Sequence, residues 1–176
     1  MSGRTAVIVP IALPPRLAFI RDAGDRMAAR GVPAHVTVLF PFLPVDALTP
    51  EVLSALAGLA GTAPPFVARF GPVERREDMV WLVPSGQRPF LALTDAVFAR
   101  WPDHPPYGGA HDELIAHLTL VESPDRGVRD AAWAAATETG PFEAEVRELT
   151  VITENASGRW RTRWRLPMGG GTTRPG

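Results

Sequence analysis

Two histidines stand in the same local setting. Ala34-His35-Val36-Thr37-Val38 and Ala116-His117-Leu118-Thr119-Leu120 each place an imidazole two residues before a threonine inside a short apolar run. Side chains alternate across a strand, so His35 shares a face with Thr37 and His117 with Thr119, while the valines and leucines between them anchor the opposite face. Breaking a P–O bond near neutral pH needs one group to take a proton from the attacking oxygen and another to give one to the leaving oxygen. Imidazole, with an ordinary pKa near 6.5, can do either without a metal. A neighbouring hydroxyl can hydrogen-bond a non-bridging oxygen on which charge develops. One His-x-Thr is commonplace, but two in matching apolar strands predict a shared catalytic site.

The remaining candidates carry less. Tyr107, the only tyrosine, sits in the loop Pro105-Pro106-Tyr107-Gly108-Gly109, where it could cover a base or simply be exposed; it is kept as a substrate-binding candidate. His104 and His111 lie in or beside the same Pro/Gly-rich segment. His111-Asp112-Glu113 with His117 has residue types suited to zinc or manganese, but His117 is already claimed and no metal is assigned. Arg159, Arg161, Arg163 and Arg165 alternate with Trp160, Thr162, Trp164 and Leu166. That pattern reads either as the solvated face of an edge strand or as a phosphate-contacting stripe. Arg75 and Arg76 read as part of a solvated turn.

Composition removes several alternatives. The chain of 176 residues has no cysteine, which excludes disulfides, thiolate nucleophiles and Cys-rich zinc sites. All 18 basic residues are arginine, so there is neither a lysine for a covalent nucleotidyl intermediate nor a P-loop lysine. With a net charge of −1, attraction for a polyanion must come from a local arginine patch. No apolar run is long enough to span a bilayer and no signal segment is evident, so a cytoplasmic location is expected.

The elements that must position the histidines repeat. A strand over 5–9, an amphipathic helix from Leu17 to Arg30 stopped by Gly31, with Arg21 and Asp25 on its polar face, and the first His strand over 34–40 are followed by a helix opening at Thr49-Pro50. Strands over 66–73 and 79–84 flank the charged turn 74–78. A helix over 89–101, a loop over 102–112 and the second His strand over 115–121 come next. A helix over 125–139 and strands over 142–153 and 159–167 complete the chain. Strand, helix and His-x-Thr strand thus occur twice in the same order, and each following helix leads to a Pro-Phe pair, Pro65-Phe66 and Pro141-Phe142. The duplication predicts an α+β fold of two pseudo-symmetric lobes, residues 1–168 forming one bilobal domain and 169–176 a flexible C-terminal tail.

With its two His-x-Thr strands, the second preceded by Pro105-Pro106-Tyr107-Gly108-Gly109, the chain resembles the 2H phosphoesterase superfamily, which includes bacterial 2'-5' RNA ligase-like proteins and cyclic nucleotide phosphodiesterases. The resemblance covers about residues 5 to 167. It implies two mainly antiparallel sheets, helices outside, around a concave cleft floored by both motifs. It implies hydrolysis of 2',3'-cyclic phosphates on RNA ends or nucleotides to a 2'-phosphate, with reversible 2'-5' ligation as a further activity and no cofactor, membrane or obligate protein partner. By the same analogy His35 donates the proton to the leaving oxygen and His117 activates water; Thr37, Thr119 and Tyr107 stand beside them as the substrate-binding candidates read from the residues themselves. A small-molecule phosphodiester substrate, or a non-catalytic RNA- or nucleotide-binding module, remains open on these residues alone.

Overall fold

The computed structural model describes residues 3–110, 114–170 and 172–176. Within them the chain runs β1 (Thr5–Pro10), α1 (Pro15–Gly24), β2 (His35–Leu39), α2 (Pro50–Thr62), β3 (Phe66–Arg76), β4 (Met79–Pro84), α3 (Arg88–Arg100), β5 (Leu118–Glu122), α4 (Arg126–Thr139), β6 (Phe142–Val146), β7 (Glu148–Glu154), β8 (Trp160–Pro167) and β9 (Arg174–Pro175). The helix starts follow their sequence signals. Thr49 accepts a hydrogen bond from the Val52 amide ahead of Pro50, and Asp125 accepts from Gly127 and Val128, satisfying amides that have no partner within the helix. No helix among the described residues is long and apolar enough to cross a membrane.

The strands form one antiparallel sheet in the order β6-β3-β4-β5-β2-β1-β7-β8-β9. It divides between the two His strands: β2 and β5 meet through the single pair Val36–Leu118, whereas each pairs over a longer run with its outer neighbour, β1 or β4. The α+β, two-part antiparallel architecture is therefore as expected, and it pivots on the motifs themselves. Pairing is also pseudo-symmetric in detail. Thr37 lies opposite Ile8 and Thr119 opposite Trp81, and the register slips by one residue at the next pair in both cases.

The halves are not one repeat each. β3, which follows α2 in the first repeat, pairs with β4 and β6 of the second; β7, late in the second, returns to β1 of the first. Only Arg147 separates β6 from β7, so the expected continuous strand over 142–153 is two strands in different halves. The helices interlace likewise, α1 packing on β5 and α4, α3 on β2, and α2 on β8.

Val36, Val38, Leu118 and Leu120 are buried in the large core beneath the helices, together with Leu17, Leu56, Phe70, Phe90, Leu149 and Leu166. Burying each such side chain is worth roughly 1.5–3 kcal/mol, which fixes the strand faces and turns His35, Thr37, His117 and Thr119 the other way. A smaller cluster of Ala6, Ile8, Val32, Ile152 and Trp160 lies on that second face.

Three local expectations are corrected. The helix from Leu17 does not reach Arg30: it ends at Gly24, and Asp25 is extended (φ −86°, ψ 122°), because its carboxylate caps the Ala28 amide at 2.8 Å and the Glu122 amide at 2.9 Å. Gly31 still closes the segment, now after a short 3₁₀ turn over Ala28–Arg30, with φ at 94°. The charged turn is shorter than expected, since β3 continues to Arg76 and only Glu77 and Asp78 cross to β4. Arg159 precedes β8, and the three arginines within it, Arg161, Arg163 and Arg165, do not share a face. Thr162 pairs with Ile152 but Trp164 pairs with Val151, so Arg163 is an extra residue, and a one-residue slip turns the rest of the strand to the other side. Trp160 accordingly lies in the small cluster and Leu166 in the large core.

Candidate active site

The His strands line the floor of a cleft of about 940 Å³ that also takes in Thr37, Thr119, Tyr107 and Trp81. The structure thus brings together all five residues singled out from sequence. His104 is not among the lining residues, and the His111-Asp112-Glu113 segment falls outside the described residues. Among the described residues no cluster of three or more His, Asp or Glu side chains is arranged to hold a metal ion.

The two imidazoles are anchored alike. His35 Nδ1 donates to the Pro33 carbonyl at 2.7 Å, and His117 Nδ1 donates to the Ile115 carbonyl at 2.8 Å. With Nδ1 committed to a carbonyl, Nε2 is the nitrogen through which each ring must exchange a proton. His35 Nε2 lies 3.2 Å from Thr37 Oγ1, and Thr37 is also hydrogen-bonded to the Tyr107 hydroxyl. For a neutral His35 only one arrangement of protons satisfies this chain: Tyr107 O–H donates to Thr37, and Thr37 O–H donates to His35 Nε2.

His35 is nevertheless a weakly basic ring. Enclosure by the walls lowers its pKa from 6.5 to about 4; the Pro33 carbonyl opposes the shift, while positive charge on Arg21 and on His117 adds to it. Burial likewise raises the Tyr107 pKa, against its bond to Thr37, which keeps the phenol protonated as a donor. Tyr107 is held by its own amide, bonded to Phe40 O at 2.6 Å, in a left-handed conformation (φ 53°). It lines the cleft beside Thr37.

Behind His35 stands a buried ion pair that the sequence did not announce. Arg21 and Asp25, expected on the polar face of a helix, are only 5% and 3% exposed and 3.2 Å apart. Arg21 Nη2 donates at 3.3 Å to the same Pro33 carbonyl that holds His35. Asp25, through Glu122, ties this assembly to the end of β5. Arg26 pairs with Glu122, and Arg75 and Arg76, solvent-exposed as expected, lie at the end of β3 rather than in the turn and border the cleft. None of Arg159, Arg161, Arg163 or Arg165 lines it.

His117 has a different neighbour. The Trp81 indole stacks on its ring with centroids 3.8 Å apart and planes 11° from parallel. The available signal was the alternation Met79-Val80-Trp81-Leu82, which buries Val80 and Leu82 and puts a large aromatic on the opposite face. The far wall is aromatic too: Phe40 and Trp160 meet edge to face at 6.1 Å. The Arg4 guanidinium, held by Glu154 at 2.7 and 2.9 Å, lies 5.8 Å from each ring.

Known proteins share this fold. A family model described as the 2'-5' RNA ligase superfamily matches residues 9–158. TT0787 of Thermus thermophilus superposes with a TM-score of 0.59 at 19% identity, covering 96% of this chain and 100% of that one. E. coli LigT complexed with 3'-AMP gives 0.57 at 20% identity, covering 96% and 99%, and a phosphoesterase gives 0.55 at 22%, covering 94% and 98%. No curated protein sequence matches the chain.

Proposed function

The chain belongs to the 2'-5' RNA ligase superfamily, and from that premise we propose that it is a phosphodiesterase that opens 2',3'-cyclic phosphates of RNA ends or nucleotides to 2'-phosphates, using His35 and His117 as a metal-independent acid/base pair. The observation that carries this reading is the two imidazoles on one cleft floor, each tethered through Nδ1 to a carbonyl two residues upstream and each beside a threonine. One ring takes a proton from water as its oxygen attacks phosphorus. The P–O3' bond breaks, the other ring protonates O3', and a 2'-phosphomonoester leaves. Thr37 and Thr119 hydrogen-bond the non-bridging oxygens. The same steps with a ribose 5'-hydroxyl in place of water give 2'-5' ligation, and run in reverse they cleave the 2'-5' linkage back to the cyclic phosphate.

The resemblance makes His35 the donor and His117 the base. His35 is neutral at neutral pH before substrate binds, so a substrate phosphate between the rings must supply the negative charge that lets it hold the proton it gives away. Binding of substrate and charging of His35 are then one event, and Thr37 is released from Nε2 to turn toward phosphate. Tyr107 keeps Thr37 in place throughout. The unit is one bilobal domain that extends past residue 168, because the segment expected as a flexible tail supplies β9, paired with β8, and it acts in the cytoplasm on a nucleotide or an RNA end.

The test is turnover of 2',3'-cyclic mononucleotides and of an oligonucleotide ending in a cyclic phosphate, in EDTA. Expected is a 2'-phosphate product, with His35→Ala and His117→Ala each slower by about 10²-fold or more. Unchanged rates in both variants, or loss of activity in EDTA restored by a divalent ion, would overturn the mechanism.

A further inference from the structure

The pseudo-symmetry of the cleft fails at one position. Thr37 and Thr119 occupy equivalent places, and so do their cross-strand partners, with the register slipping beside each. The partner of Thr37 is Ile8, fully buried in the small cluster. The partner of Thr119 is Trp81, whose indole extends from β4 over the His117 ring.

Trp81 is itself fixed on several sides. Its indole N–H donates to Met79 Sδ at 3.3 Å. The Arg76 guanidinium lies 5.6 Å from its ring centre and is held by Glu74 at 3.0 and 3.2 Å, and Glu74 is the residue opposite Trp81 on β3. A continuous file, Glu74–Arg76–Trp81–His117, therefore runs from the β3–β4 hairpin to the catalytic ring. His35 needs no such support: Pro33, Thr37, Tyr107 and Arg21 enclose it. His117 has its Nδ1 tether, which fixes one ring atom, and the flat indole surface 3.8 Å away bounds the plane of the ring.

We propose that Trp81 is a positioning residue for His117, holding the imidazole plane so that Nε2 points across the cleft toward the phosphate site. This rests on the acid/base reading above, and it assigns to β4 a role in the reaction that neither His-x-Thr strand contains. Since a misplacement of about 1 Å can cost 10²-fold in rate, the indole governs the chemical step and contributes little to substrate affinity.

Two readouts test it. In turnover of a 2',3'-cyclic mononucleotide, Trp81→Leu should lower kcat by about 10-fold to 10²-fold with KM changed less than about threefold, and Trp81→Phe, which restores a ring face, should recover most of the loss. In NMR spectra assigned with His117→Asn, the His117 ring protons should lie upfield from the indole ring current, and should move downfield in Trp81→Leu while the His35 resonances stay put. Trp81→Met serves in the same way if the leucine variant does not fold. The proposal is overturned if kcat is unchanged, if the loss lies in KM, if the phenylalanine variant is as slow as the leucine one, or if the His117 resonances ignore the substitution. Should the wild-type protein cleave no phosphodiester, the functional reading fails by itself, and the NMR comparison still decides whether Trp81 holds His117.

Discussion

The pKa of about 4 at His35 is also a statement about folding. An unfolded chain returns the ring to about 6.5, so between pH 6.5 and 4 the unfolded state binds a proton that the folded state refuses. Stability from this ring is fully present above pH 6.5 and drains away as the pH falls toward 4. Between pH 7.5 and 5 the loss amounts to about 2 kcal/mol, or roughly 4–8 °C in Tm for a chain of this size. Carboxylates held low by arginine partners, such as Glu154 beside Arg4, add to the acid loss, so the His35 share has to be isolated by subtraction. His35→Asn keeps a donor for the Pro33 carbonyl and removes the titrating group. Urea unfolding of both proteins from pH 7.5 to 5 should give a stability difference that shrinks by about 2 kcal/mol over that range. A difference constant with pH would mean that the ring titrates near its ordinary value, and the argument from enclosure would be wrong.

Other outcomes depend on the same site. Asp25→Asn strands Arg21 as an unpaired buried cation and should cost about 3–5 kcal/mol, read as a lower urea midpoint; an unchanged midpoint would show that water reaches the pair. Thr37→Val removes a hydroxyl bonded to both His35 and Tyr107 and should slow cyclic phosphate turnover by roughly 10-fold to 10²-fold, equivalent to about 1.5–3 kcal/mol, with the fold retained by circular dichroism. The rate should be bell-shaped in pH, since one ring must be neutral and the other charged, and the His35→Ala, His117→Ala double variant should be far less than multiplicatively impaired. Multiplicative loss would indicate that the two rings act in separate steps.

Much of this site was legible because its grammar is local. The alternation around His35 and His117 gave β2 and β5, although β5 opens at Leu118, one residue after His117, together with the threonines, and the order of elements gave the duplication. What was hidden depends on long-range pairing. The sequence around Arg21 and Asp25 is that of an ordinary charged helix face, and only the approach of β5, which brings the Glu122 amide to Asp25, shows why the helix stops and why both charges are buried. The arginines of β8 alternate as though on one face, but the slip at Arg163 is a property of the β7–β8 register and leaves no mark in composition. Trp81 looked like one more strand aromatic, and its role needs the neighbouring strand to be β5. The near-identity of the two motifs also concealed how different the two rings are, one enclosed and one stacked.

The exchange of β3 and β7 between the halves bears on how such a molecule could be divided. A fragment ending after β3 retains a paired β1 and β2 but leaves β3 without either of its neighbours, β4 and β6. A fragment beginning at β4 likewise lacks β1 as the neighbour of β7 and β3 as the neighbour of β6. Neither repeat can complete a lobe by itself, so a cut in the β3–β4 turn should yield two pieces that fold only on each other. A single ancestral repeat would have met the same requirement by trading its last strand with a second copy, and the cleft would then have begun as the seam of a symmetric pair of chains, with two interchangeable histidines facing across it.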